Sequence, residues 1–123
     1  MESNSNIAPN LYANAFRTAV LRLLGHERIN DAYFLSCLNE AKIGLTFNRL
    51  MGLAIDPAPG GLRSASISTH WARRALDRLK RAGLAQAEKK GRVALVWTIT
   101  TAGRVMIHRI NDEARKVLAE DRS

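Results

Sequence analysis

The sequence predicts a mainly helical α+β domain: several helices, one small β-hairpin and a further helix that closes the chain. Three observations predict it. Apolar residues recur at helical spacing in five stretches, separated by glycines or by runs of loop-forming residues. Val93, Leu95, Trp97 and Ile99 alternate after the turn signal Lys89-Lys90-Gly91-Arg92, and a short strand-like run precedes that turn. Finally, 123 residues with 46% hydrophobic and 24% charged side chains suffice for one core and leave little for a second.

Each element has its own local cause. Residues 1–10 are polar, rich in Asn and Ser, and are expected to form a flexible tail. Over residues 11–24, Leu11, Ala15, Phe16, Ala19, Val20, Leu23 and Leu24 fall on one helix face, and Gly25 is placed to end the helix. Asn30 or Asp31 is expected to cap a second helix that turns Ala32, Phe34, Leu35 and Leu38 inward and stops near Gly44. Thr46 caps a shorter third helix, to about Leu53, that carries Phe47, Leu50 and Met51. Asp56-Pro57-Ala58-Pro59-Gly60-Gly61 cannot continue a helix and opens a loop that runs on through Ser66. Ser68 or Thr69 starts the clearest helix, with Ala72, Ala75, Leu76, Leu79 and Ala82 as its inner stripe, Trp71 at the edge and Gly83 at the end. The hairpin pairs residues 84–88 with residues 93–99. Thr100 or Thr101 caps a last helix to about Ala119, striped by Val105, Met106, Ile110, Ala114, Val117 and Leu118. Residues 11–119 are therefore expected to form one domain, with a short tail at 120–123.

Several classes of function are disfavoured. No apolar run approaches the ~18 residues of a bilayer span, and residues 1–10 lack the basic-then-apolar order of a signal peptide, so a cytoplasmic protein without a membrane partner is expected. The single cysteine, Cys37, excludes an intrachain disulfide and a cysteine-cluster zinc site, and its apolar helix suggests a packed residue. His26, His70 and His108 are far apart in sequence, there is no His-Glu-x-x-His, and no phosphate loop of the G-x-x-x-x-G-K-[ST] kind occurs. The expectation is a protein that is not an enzyme, with no catalytic residues, metal or cofactor. Trp71 and Trp97 are expected as core anchors.

Charge is the positive signal. The chain holds 19 Lys and Arg against 11 Asp and Glu, net +8, and the excess is confined to residues 60–109, where eleven basic groups face only Asp77 and Glu88. Such a field displaces counterions from a nucleic acid, and acidic proteins and anionic membranes are the other partners that the charge alone would suit. On the helix that starts near Thr69, His70, Arg73, Arg74, Asp77, Arg78 and Arg81 lie opposite the apolar stripe. Asp77 is four residues from both Arg73 and Arg81, a spacing that allows it to pair with either. Lys80 and Arg81 also complement the helix dipole. Helices followed by a basic helix, a basic-tipped hairpin and a closing helix make the winged helix-turn-helix order, in which the basic helix enters the major groove and the hairpin lies beside it.

Local strings resemble the N-terminal winged-helix domain of the Mrr restriction-endonuclease family over residues 11–107. They are Val20-Leu21-Arg22-Leu23-Leu24, Leu79-Lys80-Arg81-Ala82-Gly83-Leu84 and Trp97-Thr98-Ile99-Thr100-Thr101-Ala102-Gly103-Arg104. The second string is similar to many winged helices, MarR-like repressors among them. The resemblance implies DNA binding. Mrr proteins continue into a nuclease domain, and here only one helix follows the wing, so cleavage is not carried over.

The resulting expectation is a small prokaryotic or phage-type winged-helix regulator of transcription, a repressor that binds duplex DNA as a homodimer through its last helix. Arg74 and His70 are expected to read bases, with Arg73 and Arg78 on the same face. Arg63, Ser66, Ser68 and Thr69 are expected to hold phosphate, and Lys89, Lys90 and Arg92 to clamp the flanking backbone or minor groove. The alternatives are an interaction module for an acidic protein and a DNA-targeting subunit of a nuclease on another chain.

Overall fold

The computed structural model describes residues 9–55, 69–91 and 94–121. Helix α1 (Pro9–Leu23) leads through a 3-10 turn (His26–Arg28) into α2 (Ile29–Ala41), then β1 (Leu45–Thr46), α3 (Phe47–Ile55), α4 (Thr69–Arg81), β2 (Ala85–Lys90), β3 (Ala94–Ile99) and α5 (Thr101–Asp121). The expected class is what is found, mainly helical with a small antiparallel sheet and an extra C-terminal helix.

Helix α2 is the centre of the packing, touching α1, α3, α4, α5 and β3. Its Phe34, Leu35 and Leu38 are fully enclosed, together with Val20, Leu50, Leu76, Ile107 and Ile110 from its neighbours. Burying such side chains is the main favourable contribution to folding, about 1.5–3 kcal/mol each. Helix α1 turns Ala15, Phe16, Ala19 and Val20 inward and packs chiefly on α5. There the Tyr12 hydroxyl donates to Asn111 Oδ1, and Arg22 bonds Glu113 and Glu120 at 3.0 Å each. Most of the α5 stripe expected from the sequence is thus covered within the chain: Ile110, Ala114 and Val117 are buried, and Met106 and Leu118 are half-buried. Val105 is the exception at 55% exposed, and Ile107, which the stripe omitted, is buried.

Three local differences from the sequence reading have physical causes. Helix α2 starts at Ile29 behind Arg28 with no side-chain cap, because Asp31, one of the two expected caps, is turned inward to Arg78 of α4. It ends at Ala41 rather than near Gly44, with Lys42 left-handed (φ 61°), since the chain must turn into β1. That strand was not expected. It pairs antiparallel with β3 (Leu45 opposite Trp97, Thr46 opposite Val96), so the hairpin becomes a three-stranded sheet of order β1-β3-β2. Thr46 caps α3 as expected, its Oγ1 accepting from Arg49 N at 3.3 Å.

The end of α4 and the start of α5 meet in one corner. Gly83, at φ 77°, ends α4 with Gly83 N bonded to Lys80 O (3.0 Å) and Leu84 N to Leu79 O (2.9 Å), the paired bonds of a Schellman turn. Ala82, expected in the inner stripe, is exposed in this turn. Thr100 then caps α5: its Oγ1 accepts from Gly103 N at 3.0 Å and its hydroxyl donates to Gly83 O at 2.6 Å, while Thr100 N donates to Leu84 O at 3.1 Å. Gly103 lies so close beneath Leu84 that a Cβ there would overlap the Leu84 carbonyl oxygen.

Candidate nucleic-acid interface

Helix α4 buries Ala72, Ala75, Leu76 and Leu79 and presents the rest of its circumference outward. The sequence placed its polar residues on one face, and the structure divides them into three strips. Arg73 and Lys80, two turns apart, form the strip nearest the hairpin. His70, Arg74, Asp77 and Arg81 form the outermost strip. Trp71 and Arg78, also two turns apart, form the third, toward α2.

On the first strip the Arg73 guanidinium lies over the Phe47 ring, 4.1 Å from its centroid, a cation–π contact that pins the side chain against the start of α3. Arg73, Leu76, Asp77 and Lys80 form one wall of a groove of about 580 Å³, closed by Phe47 and neighbours from α3 and by Leu95 and Trp97 of β3. Helix α4 and the hairpin are therefore separated by a channel with two cations and one carboxylate along the α4 side. Lys80 joins this set, although its place in the last turn of α4 suggested only a dipole role. Trp97 is half-buried against the core, in agreement with its expected role as an anchor, whereas Leu95 near the hairpin tip is 51% exposed.

On the outermost strip Asp77 pairs with Arg81 at 3.0 Å, one of the two pairings the spacing allowed. The C-terminal half of the strip is thus largely self-neutralised, and its N-terminal half carries Thr69, His70 and Arg74, all exposed. On the third strip Arg78 is engaged elsewhere. Its Nε and Nη2 donate to Asp31 Oδ2 (2.9 Å) and Oδ1 (2.7 Å), a bidentate pair with a carboxylate only 4% exposed. The hydrogen bond to Asp31 holds the guanidinium above its ordinary pKa, so it is a fixed cation facing α2. Arg78 thereby leaves the outward set to which the sequence assigned it. Trp71 moves in the opposite direction: expected as a core anchor, it is 55% exposed in the first turn of α4.

Lys89 is exposed on β2 close to the tip, opposite Leu95. Arg63, Ser66, Ser68 and Arg92 lie outside the described residues, as do the side chain of Lys90 and the loop expected over residues 56–66. Among the described residues no group of His, Cys, Asp and Glu is placed to hold a metal ion, and no helix is long and apolar enough to cross a membrane. Burial, with Glu40 adding to it, pushes the Cys37 thiol up to about 11, which keeps it protonated and unreactive at neutral pH.

The fold is similar to two solved structures. One is the crystal structure of a transcriptional regulator of the MarR family from Silicibacter pomeroyi, with a TM-score of 0.64 and 24% identity over 91% of this chain and 67% of that one. The other is RV1404 from Mycobacterium tuberculosis, with a TM-score of 0.58 and 19% identity over 90% of this chain and 66% of that one. No family model matches the chain, and no curated protein matches it in sequence. At these identities the likeness is one of fold: a winged-helix domain resembling MarR-family regulators. It carries the MarR-like half of the resemblance seen in the sequence and leaves the Mrr half without support.

Proposed function

We propose that this chain binds duplex DNA through α4 and the hairpin and regulates transcription, as a repressor that occupies an operator. One observation carries the reading: the exposed strips of α4 present Arg73, Arg74 and Lys80 beside Lys89 of the hairpin, and the one acidic residue of α4, Asp77, is offset by its pairing with Arg81. That surface is shaped to follow a phosphate backbone on both sides of an inserted helix. The likeness to a protein described as a MarR-family transcriptional regulator supports the same use.

In this reading Arg74 and His70 meet base edges. Thr69, with Arg63, Ser66 and Ser68, holds phosphate at the entry to the helix, and Arg73 and Lys80 do so along the groove. Lys89, Lys90 and Arg92 hold the flanking backbone. Arg78 acts from behind, by fixing α4 to α2. A second copy of the chain is proposed to join through α1 and α5, where Leu11, Leu21 and Val105 remain exposed. No observation favours a nuclease on another chain as partner.

The test is a titration of fluorescent random-sequence duplex at several salt concentrations. Binding should weaken with a log–log slope of about −0.9 per phosphate contacted, and five or so contacts would give a slope near −4.5. Absence of binding at low salt would overturn the reading and transfer the basic surface to an acidic protein partner.

A further inference from the structure

We infer that Trp71 is a specificity-determining residue that contacts the C5-methyl group of a thymine in the major groove, next to the base met by Arg74. This inference rests on the DNA-binding reading above.

Trp71 is the third residue of α4, and the N-terminal residues of a helix inserted in the major groove are those that reach base edges. Its indole is 55% exposed on a helix whose other outward side chains are polar or charged. The exposed part of a ring of that size gains free energy wherever apolar surface is offered to it. The ring is also held in place. His70 meets it edge-on, with centroids 5.6 Å apart and planes at 70°, and the Arg74 guanidinium carbon stands 5.6 Å from its centroid. The cluster therefore presents an apolar plate and a guanidinium fork side by side. Arg74 suits guanine O6 and N7, whereas the apolar group that base pairs offer in the major groove is the thymine methyl. On the same strip, two turns later, Arg78 is drawn down onto Asp31, so the strip diverges: its distal end binds the protein and its proximal end faces outward.

The experiment selects a preferred duplex from a random pool with the intact chain, then replaces each thymine in turn by deoxyuridine, which removes the methyl group alone. The intact chain should lose about fourfold in affinity at one position of each bound site, the value of one buried methyl-sized group. Trp71→Ala should bind the thymine and deoxyuridine forms of that position equally, and Trp71→Phe should keep part of the preference. Circular dichroism and thermal unfolding establish that both variants fold, which the exposure of the side chain leads one to expect. The inference is overturned if no position discriminates, or if Trp71→Ala discriminates as well as the intact chain. A chain that selects a duplex and ignores the methyl group overturns this inference alone. A chain that binds no duplex at low salt overturns the DNA-binding reading with it.

Discussion

Arg78 and Asp31 show how far one side chain's role depends on what faces it. By spacing, Arg78 belongs with Arg74 and Arg81; by contact, it belongs to the interior, where it satisfies both oxygens of a buried carboxylate. Arg78→Ala leaves Asp31 with Arg28 Nε at 4.0 Å, too long for a hydrogen bond. The loss should be about 2–3 kcal/mol in urea unfolding. That is less than the ~3–5 of a fully enclosed pair, because 29% of the Arg78 side chain reaches solvent. Arg78→Met combined with Asp31→Leu should recover most of that loss, since no charge is then left buried without a partner. A double variant as unstable as Arg78→Ala would show that the pair acts through shape and not through charge. None of this was readable from the sequence, where the two residues stand 47 positions apart and Asp31 looked like a helix cap. Trp71 was misjudged for a related reason. The stripe of α4 was legible, but whether a neighbouring element covers the edge of its first turn is a property of the assembled fold.

The elements themselves were legible wherever their cause is local. Helices α1, α4 and α5 and the hairpin follow from apolar periodicity, glycine stops and threonine caps, and their bounds agree with expectation to within a few residues. Strand β1 was not, because two residues carry no periodicity and its existence depends on β3, which lies about fifty residues further on. The corner at Thr100 combines both kinds of information. The cap could be anticipated, whereas the bond from its hydroxyl to Gly83 O could not. Thr100→Ala removes both bonds and should lower the unfolding free energy by about 1–2 kcal/mol, the upper range for a lost cap. Thr100→Ser keeps both and should lie within about 0.5 kcal/mol of the parent in the same unfolding measurement. An unchanged stability in Thr100→Ala would mean that Leu84 O and the Schellman turn hold the corner without the hydroxyl.

At the scale of the whole molecule, exposed apolar side chains occur both on the basic α4 and hairpin, as Trp71 and Leu95, and on α1 and α5. The excess of basic residues lies between positions 60 and 109, while α1 and α5 retain Leu11, Leu21 and Val105 in solvent. A chain that pairs through α1 and α5 should run in light scattering at about twice its 13.6 kDa mass at tens of micromolar, and Val105→Glu should return it to one chain. A single-chain mass for the parent would remove the dimer and leave each α4 to bind alone. The sequence suggested pairing from an α5 stripe that the fold largely covers with α1, so only Val105, the exposed member of that stripe, and Leu11 and Leu21 of α1 remain to support it. The Thr100 corner has a mechanical meaning in either case. Because the glycine that ends α4 and the threonine that caps α5 are bonded through one hydroxyl, the two helices meet at a fixed elbow at Gly83. The 21-residue α5 and the 13-residue α4 thus diverge from one bonded corner.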